Sequence, residues 1–322
     1  MSGPGTSPPS AAPSRAQLGA VLVCLAAALW GLDGVVLTPR LAALPVQLVV
    51  FLLHALPFLL MAPILGRRCW PRLAALGPSG WTALLAVSLC GGLIGTLAIV
   101  HALFLVGFRQ LSIVVLLQKL QPLFALGLAA LVLGERLSAR LLGWAAAAVA
   151  GAYVMTFGLG LPDFQGGAVN GRAAFWALVA AAAFGAATVL GKRLLGATDV
   201  VTATVGRYGV TTALAALTLV VSGVGFPLAA VGGREWTLLV VIALTTGSGA
   251  IFLYYVGLSR IRASVATLCE LCLPLSAVIL DHLVNGSRLA PSQWLGAALL
   301  VTAIARVSLL KEQPGRAGEG ER

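Results

Sequence analysis

Apolar runs dominate the chain, and their length decides what they form. A helix needs about 20 apolar residues to cross the hydrocarbon core of a bilayer. Ten runs of that order follow one another with short polar or basic punctuation: Gln17 to Leu37, Pro45 to Leu65, Gly80 to Val106, Ser112 to Leu133, Leu141 to Gly158, Ala173 to Gly191, Val200 to Val221, Trp236 to Gly257, Ala263 to Leu283 and Ser292 to Leu310. The first run is too long for a secretory signal and its flank holds only Arg15, so it reads as a retained span. The Pro/Ser/Gly-rich segment before it and the tail from about Gln313 onward have the composition of disordered chain.

Composition agrees with this pattern. Of 322 residues, 59% are hydrophobic and 10% charged, against roughly 25% charged in soluble domains. The fold class is therefore an all-α polytopic membrane protein. The longest internal loops, about 15 residues, leave no room for a soluble effector domain of a receptor or scaffold. A net charge of +11 raises the question of nucleic acid, yet the basic residues are scattered among the loops without the dense patch that such binding needs. Their distribution reports topology instead. With the N-terminus inside, inner segments hold Arg15, Arg67, Arg68, Arg72, Arg136, Arg140, Lys192, Arg193, Arg260, Arg262, Lys311, Arg316 and Arg322, and outer loops hold Arg40, Arg109, Arg172, Arg234 and Arg288. That excess predicts both termini in the cytoplasm, in the plasma membrane.

The chain also repeats itself. LLQKLQP (Leu116 to Pro122) lies over LCELCLP (Leu268 to Pro274) at an offset of 152, pairing Gln118 with Glu270 and Pro122 with Pro274. Gly134 and Arg136 fall on Gly286 and Arg288, and WGLDGVVLTPRL from Trp30 overlies FGAATVLGKRLL from Phe184 at an offset of 154. Each half contains five runs. Because five is odd, the second half enters the membrane from the opposite side, giving inverted repeats that work by alternating access around a midplane site. The organisation predicted is a tail (1–15), a first repeat (16–158), an outer linker (159–172), a second repeat (173–310) and a cytoplasmic tail (311–322).

These residues, namely WG in the first span, LQKLQPLFALGLAALVLGERLSARLLGW from Leu117 and YYVGLSRIRASVATLCELCLPLSAVIL from Tyr254, resemble the EamA-type permeases of the drug/metabolite transporter superfamily. The resemblance covers nearly all of residues 16 to 310. It implies a ten-helix fold whose first, third, fourth, sixth, eighth and ninth spans line a central cavity, with the second and seventh as gates and the fifth and tenth peripheral. The second repeat has Asn285, Gly286 and Ser287 where the first has Leu133, Gly134 and Glu135, so Glu135 reads as a loop or helix-terminus residue.

A charge at the centre of a span costs about 2.5–3.5 kcal/mol on insertion scales, so the ionisable groups inside the runs are the candidates for function. They are Asp33, His54, His101, Lys119, Arg207 and Glu270, with Gln118 and Gln121 nearby. Lys119 and Glu270 precede Pro122 and Pro274, which are expected to kink the fourth and ninth helices and free carbonyls one turn earlier. Lys119 and Glu270 are expected to form an ion pair or shared network. That network either lines the cavity or offsets two insertion costs and holds the two helices in register. Asp33 either meets substrate or sits at the headgroups, and Arg207 either grips an anion or snorkels to the surface. Tyr254 and Tyr255 have hydroxyls to offer to substrate or to backbone. His101 reads as an interfacial or packed residue.

The CxxC around Glu270 has no second cysteine pair or HxxxH, and small cysteines are ordinary in helix packing, so neither a metal nor a cofactor is expected. The expected function is secondary transport of a small polar metabolite such as an amino acid, with export the expected direction and a proton as coupling ion carried by Glu270. An uncoupled facilitator is the alternative within transport. Three dispersed histidines, His54, His101 and His282, argue against a membrane-embedded enzyme.

Overall fold

The computed structural model describes residues 14–107, 112–160, 167–286 and 288–310. Most of both predicted tails, part of the predicted linker, Arg109 and Ser287 lie outside these residues. Within them the chain forms ten helical segments: α1 (Arg15–Leu41), α2 (Val46–Ala74), α3 (Pro78–Leu105), α4 (Ser112–Gln118 continued by Gln121–Val132), α5 (Ala139–Phe157), α6 (Gly167–Leu195), α7 (Val200–Val221), α8 (Gly233–Leu258), α9 (Ala263–Cys269 continued by Cys272–Asn285) and α10 (Pro291–Ser308). No strand occurs among the described residues.

Eight of the ten are long and apolar enough to cross a membrane. The expectation of ten such spans is met only in this coarser form: the apolar stretch of α4, Leu116–Val132, is shorter among the described residues, and α10 carries Gln293, Thr302 and Arg306 within 18 residues. The molecule's surface is nonetheless greasy: Ile64 is 80% and Val221 78% exposed, which suits hydrocarbon rather than water as the surrounding medium.

Local chemistry starts and stops the helices where the sequence provides for it. Ser14 and Gln17 form a capping box at α1, since Gln17 N donates to Ser14 Oγ and Ser14 N to Gln17 Oε1. Asp199 caps α7 by accepting from the amides of Val201 and Thr202. Gly134 and Gly286, paired by the internal repeat, both leave their helices with positive φ, +64° and +71°, a conformation that a side chain would strain.

Packing is reciprocal between the two halves. α1 lies against α8 and α9, while α6 lies against α3 and α4; α2 packs on α7, and α5 on α10. Gly31 of α1 and Gly185 of α6 make the contacts with the broken helices possible. A Cβ on Gly31 would come within 1.9 Å of Ser276 Oγ in α9, and one on Gly185 within 2.9 Å of Gln121 O in α4. The WG motif is thus a packing device that recurs as Phe184–Gly185.

Candidate functional site

α4 and α9 break within one residue of the places that the internal repeat pairs. In α4 the turn at Lys119–Leu120 is held by bonds three residues back, Lys119 N to Leu116 O (3.1 Å) and Leu120 N to Leu117 O (3.1 Å). In α9 the turn at Glu270–Leu271 has Leu271 N donating to Leu268 O (3.2 Å). Pro122 and Pro274 follow each break and enter the helix that resumes, as a residue without an N–H can do in a first turn. One part of the expectation is corrected. The Glu270 carbonyl, deprived of the amide of Pro274, is not left free, because Leu273 N donates to it at 2.9 Å.

The break turns Glu270 into a polar cluster drawn from four helices. Its Oε1 accepts from Tyr254 Oη of α8 (2.7 Å) and Thr188 Oγ1 of α6 (2.9 Å), and its Oε2 accepts from Gln121 Nε2 of α4. Tyr254 and Thr188 hydroxyls also lie 3.0 Å apart. Trp30 of α1 closes one side, its ring centroid 5.3 Å from that of Tyr254. A carboxylate accepting three neutral hydrogen bonds can remain in a low-dielectric interior without a cation. No Lys or Arg among the described residues lies within ion-pair distance of Glu270.

Beside it sits a second constellation. Arg207 of α7 is 8% exposed; its Nη1 donates to Tyr255 Oη (3.1 Å), and its guanidinium carbon lies 5.6 Å from the centroid of the Tyr255 ring. Tyr254 and Tyr255 ring centroids are 5.9 Å apart, so the two clusters adjoin. The guanidinium fits because α3 loosens into a π-turn at Ser88–Ile94 that presents Gly91; a Cβ there would stand 2.9 Å from Arg207 Nη2. Such π-turns mark functional stretches of helices often, and α8 has its own at Ala243–Gly247. His54 Nδ1 of α2 donates to Val50 O (2.8 Å), and its ring lies 5.6 Å from that of Tyr208, tilted by 41°.

The structure therefore brings together Glu270, Gln121, Tyr254, Tyr255 and Arg207, and leaves others apart. Lys119 is 4% exposed and its Nζ has no hydrogen-bond partner among the described residues. The expected pair of Lys119 with Glu270 is not formed: the carboxylate is engaged instead by Gln121, Thr188 and Tyr254. Gln118 is half-buried on the same turn. Asp33 lies in a π-turn of α1 (Asp33–Leu37), with Oδ1 buried and without a partner among the described residues.

Sequence reasoning missed Thr188, Trp30 and Tyr208. Thr188 and Tyr208 are neutral residues in apolar runs and carry no signal of their own. Trp30 was visible only as half of the WG motif. Glu135 proves to be a helix-terminus residue of an unexpected kind: its carboxylate accepts from the amides of Ala263 (2.8 Å) and Ser264 (3.0 Å), capping α9 from the end of α4.

The description "EamA-like transporter family" matches this chain twice, over residues 17–157 and 171–309. A protein of Fusobacterium nucleatum subsp. nucleatum named riboflavin transporter ImpX is 47% identical over 293 residues, covering 91% of this chain and 98% of the relative. A solved structure titled only as the crystal structure of a protein aligns with a TM-score of 0.72 over 92% of this chain and 97% of its own, at 21% identity, and shares the fold. The family resemblance read from the sequence is thereby confirmed, and with it the character of a membrane transporter: the chain belongs to the EamA-like transporter family.

Proposed function

We propose that this transporter moves a flavin-like metabolite by alternating access between two inverted five-span halves, 16–158 and 173–310, joined by an outer linker. Both termini then face the cytoplasm across the plasma membrane, as the distribution of basic residues favours. The two remaining helices, α4 and α10, are read as spans because they turn Leu131 (83% exposed) and Leu295 (71% exposed) outward. The reciprocal packing of α1 with α8 and α9, and of α6 with α3 and α4, is the arrangement that an inverted repeat calls for.

The observation that carries the substrate class is the relative named for riboflavin, 47% identical and matched over 98% of its length. The site's chemistry supports it. A flavin is a broad planar ring system with an edge of alternating carbonyl acceptors and an N–H donor. Trp30 and Tyr254 offer ring faces, Gln121 and Glu270 offer acceptors to ring N–H or side-chain hydroxyls, and Arg207 with Tyr255 offers donors to carbonyls. Lys119, Gln118 and Asp33 are read as further polar contacts along the path. Glu270 is the coupling residue, exchanging its internal donors for substrate or a proton.

Purified protein in proteoliposomes tests this. Riboflavin, followed by its fluorescence, is expected to enter saturably, faster with a pH gradient, and Trp30→Ala to slow it about tenfold, the worth of one aromatic contact. Preloaded vesicles test export. Movement indifferent to the gradient selects the uncoupled facilitator. A second reading, a zwitterionic amino acid, is favoured by the opposite charges of Glu270 and Arg207; riboflavin standing still while an amino acid moves would replace the flavin with it.

A further inference from the structure

We propose that the facing π-turns of α1 (Asp33–Leu37) and α8 (Ala243–Gly247) form a site for a small monovalent metal cation, probed as sodium and held by the Asp33 carboxylate and the Thr246 hydroxyl. The site does not rest on the substrate assigned above. α1 packs against the α8 turn. The hydroxyls of Thr246 and of Thr38, which follows the α1 turn, are the polar groups turned to the Asp33 carboxylate. Tyr208 of α7 adjoins both turns: it stands near the Asp33 charge, and its hydroxyl lies 3.8 Å from the Cβ position of Gly247.

The informative fact is that these groups approach without satisfying one another. Thr246 is 2% exposed, yet neither its Oγ1 nor the buried Asp33 Oδ1 has a hydrogen-bond partner among the described residues. No Lys, Arg or His among the described residues stands within ion-pair distance of Asp33. A buried carboxylate oxygen left without cation or donor is costly. A cation set between the carboxylate and the lone pairs of the hydroxyl answers both groups at once. The backbone adds ligands of the same kind. The amides that close the two turns reach five residues back, Thr38 N to Asp33 O and Ser248 N to Ala243 O, and such a widening skips a carbonyl that a regular turn would engage. Unwound stretches of transmembrane helix coordinate sodium through such carbonyls in other transporters. Oxygen ligands select a hard cation. One carboxylate neutralises one positive charge, whereas a divalent ion would leave an excess in a low-dielectric interior.

The internal repeat supplies a control. At the offset of 154 that pairs Trp30 with Phe184, the α8 turn falls within the π-turn of α3 (Ser88–Ile94), and Asp33 falls on Ala187 of α6. There the turn closes on a small apolar residue and on a cation of the protein itself: a Cβ on Gly91 would stand 2.5 Å from that of Ala187 and 2.9 Å from Arg207 Nη2. Packing a π-turn against the facing helix therefore needs no carboxylate. The α1–α8 pair carries one, and no guanidinium meets it. This pair also joins the two halves beside the polar clusters. Asp33 is about one turn from Trp30, and Thr246 about two turns from Tyr254, along their own helices. A cation bound there ties α1 of one half to α8 of the other, next to the Glu270 network.

The test uses the full chain in nanodiscs. Sodium chloride replaces choline chloride at constant ionic strength while the unfolding temperature is followed, and radioactive sodium measures binding at equilibrium. The wild type is expected to bind sodium saturably and to be stabilised in parallel. Asp33→Asn is expected to weaken binding at least about 100-fold, the effect of removing one member of a buried charge pair. Thr246→Val is expected to weaken it about tenfold, through loss of one polar contact to a charge. That second variant guards against misfolding: it exchanges an unpartnered buried hydroxyl for a methyl of similar shape, so without sodium it should be at least as stable as the wild type. Thr245→Val, whose exposed hydroxyl donates to Val241 O of its own helix (2.6 Å), should leave sodium binding unchanged. Absence of sodium binding by the wild type, or equal binding by the wild type and Thr246→Val, overturns the site. Stabilisation that follows pH and ignores sodium also overturns it and gives the position to a proton. Neither readout involves substrate, so failure here is distinct from failure of the flavin assay.

Discussion

The two broken helices present the same backbone and opposite chemistry. α4 and α9 each interrupt at a residue pair two or three residues before a proline, each is approached by a glycine from the other half, and each ends on a glycine of positive φ. Yet the α9 break carries a carboxylate met by three donors, and the α4 break carries an ammonium met by none among the described residues. Backbone geometry answers to proline and glycine spacing, which duplication copies intact. Side-chain partnership depends on what three other helices supply, and there the halves have diverged: Thr188 and Tyr254 face Glu270, whereas their counterparts at an offset of about 154 (Gly34 and Val100) offer no hydroxyl.

The sharpest way to break this comparison is at the two charges. Glu270→Gln places an amide donor among three donors and is expected to lower riboflavin transport efficiency in proteoliposomes by one to two orders of magnitude, about 1.5–3 kcal/mol for hydrogen bonds to a charged group. Lys119→Met removes a buried ammonium and is expected to raise the unfolding temperature. The double variant should show coupling below about 0.5 kcal/mol, the level of independent sites. A coupling of several times that size would restore the ion pair that the geometry denies.

Next in size is the shared backbone. Gly31→Leu and Gly185→Leu each force a side chain into the facing broken helix and should each destabilise the detergent-purified protein by about 1–3 kcal/mol. Similar losses for both sharpen the symmetry; a loss confined to one would break it.

The smallest effect concerns α2 and α7, where α7 begins on Asp199 and α2 on Pro45, which offers no side-chain cap. Asp199→Ala should cost about 1 kcal/mol. Burial works against the charged form of Asp199, but the Thr202 hydroxyl and amide together with the Arg72 guanidinium outweigh it and hold the carboxyl below its usual range. A carboxyl depressed in the folded state stabilises fully above its unfolded pKa of about 3.9, and that contribution is lost as the pH falls through the lower folded value. The variant should therefore flatten the acid limb of unfolding temperature against pH below about pH 4, while Pro45→Ala leaves it unaltered.

Much of the architecture could be read along the chain. Hydropathy runs placed the helices, and the LLQKLQP and LCELCLP repeat located both breaks, because segment length and proline act locally. Glu270, Gln121, Tyr254, Tyr255 and Arg207 were marked as candidates by their rarity in apolar runs. Their partnerships were decided only by the tertiary structure: Lys119 stands one residue from Gln118 in sequence but does not meet Glu270, which is satisfied by Thr188 and Tyr254 from helices that a one-dimensional offset cannot orient. Likewise the scattered cations Arg15, Lys192, Arg260 and Arg262 line one recess only when α1 closes on the α8–α9 turn. Burial and bend are written residue by residue, whereas hydrogen bonding and charge compensation depend on which atoms of distant segments finally come within about 3 Å.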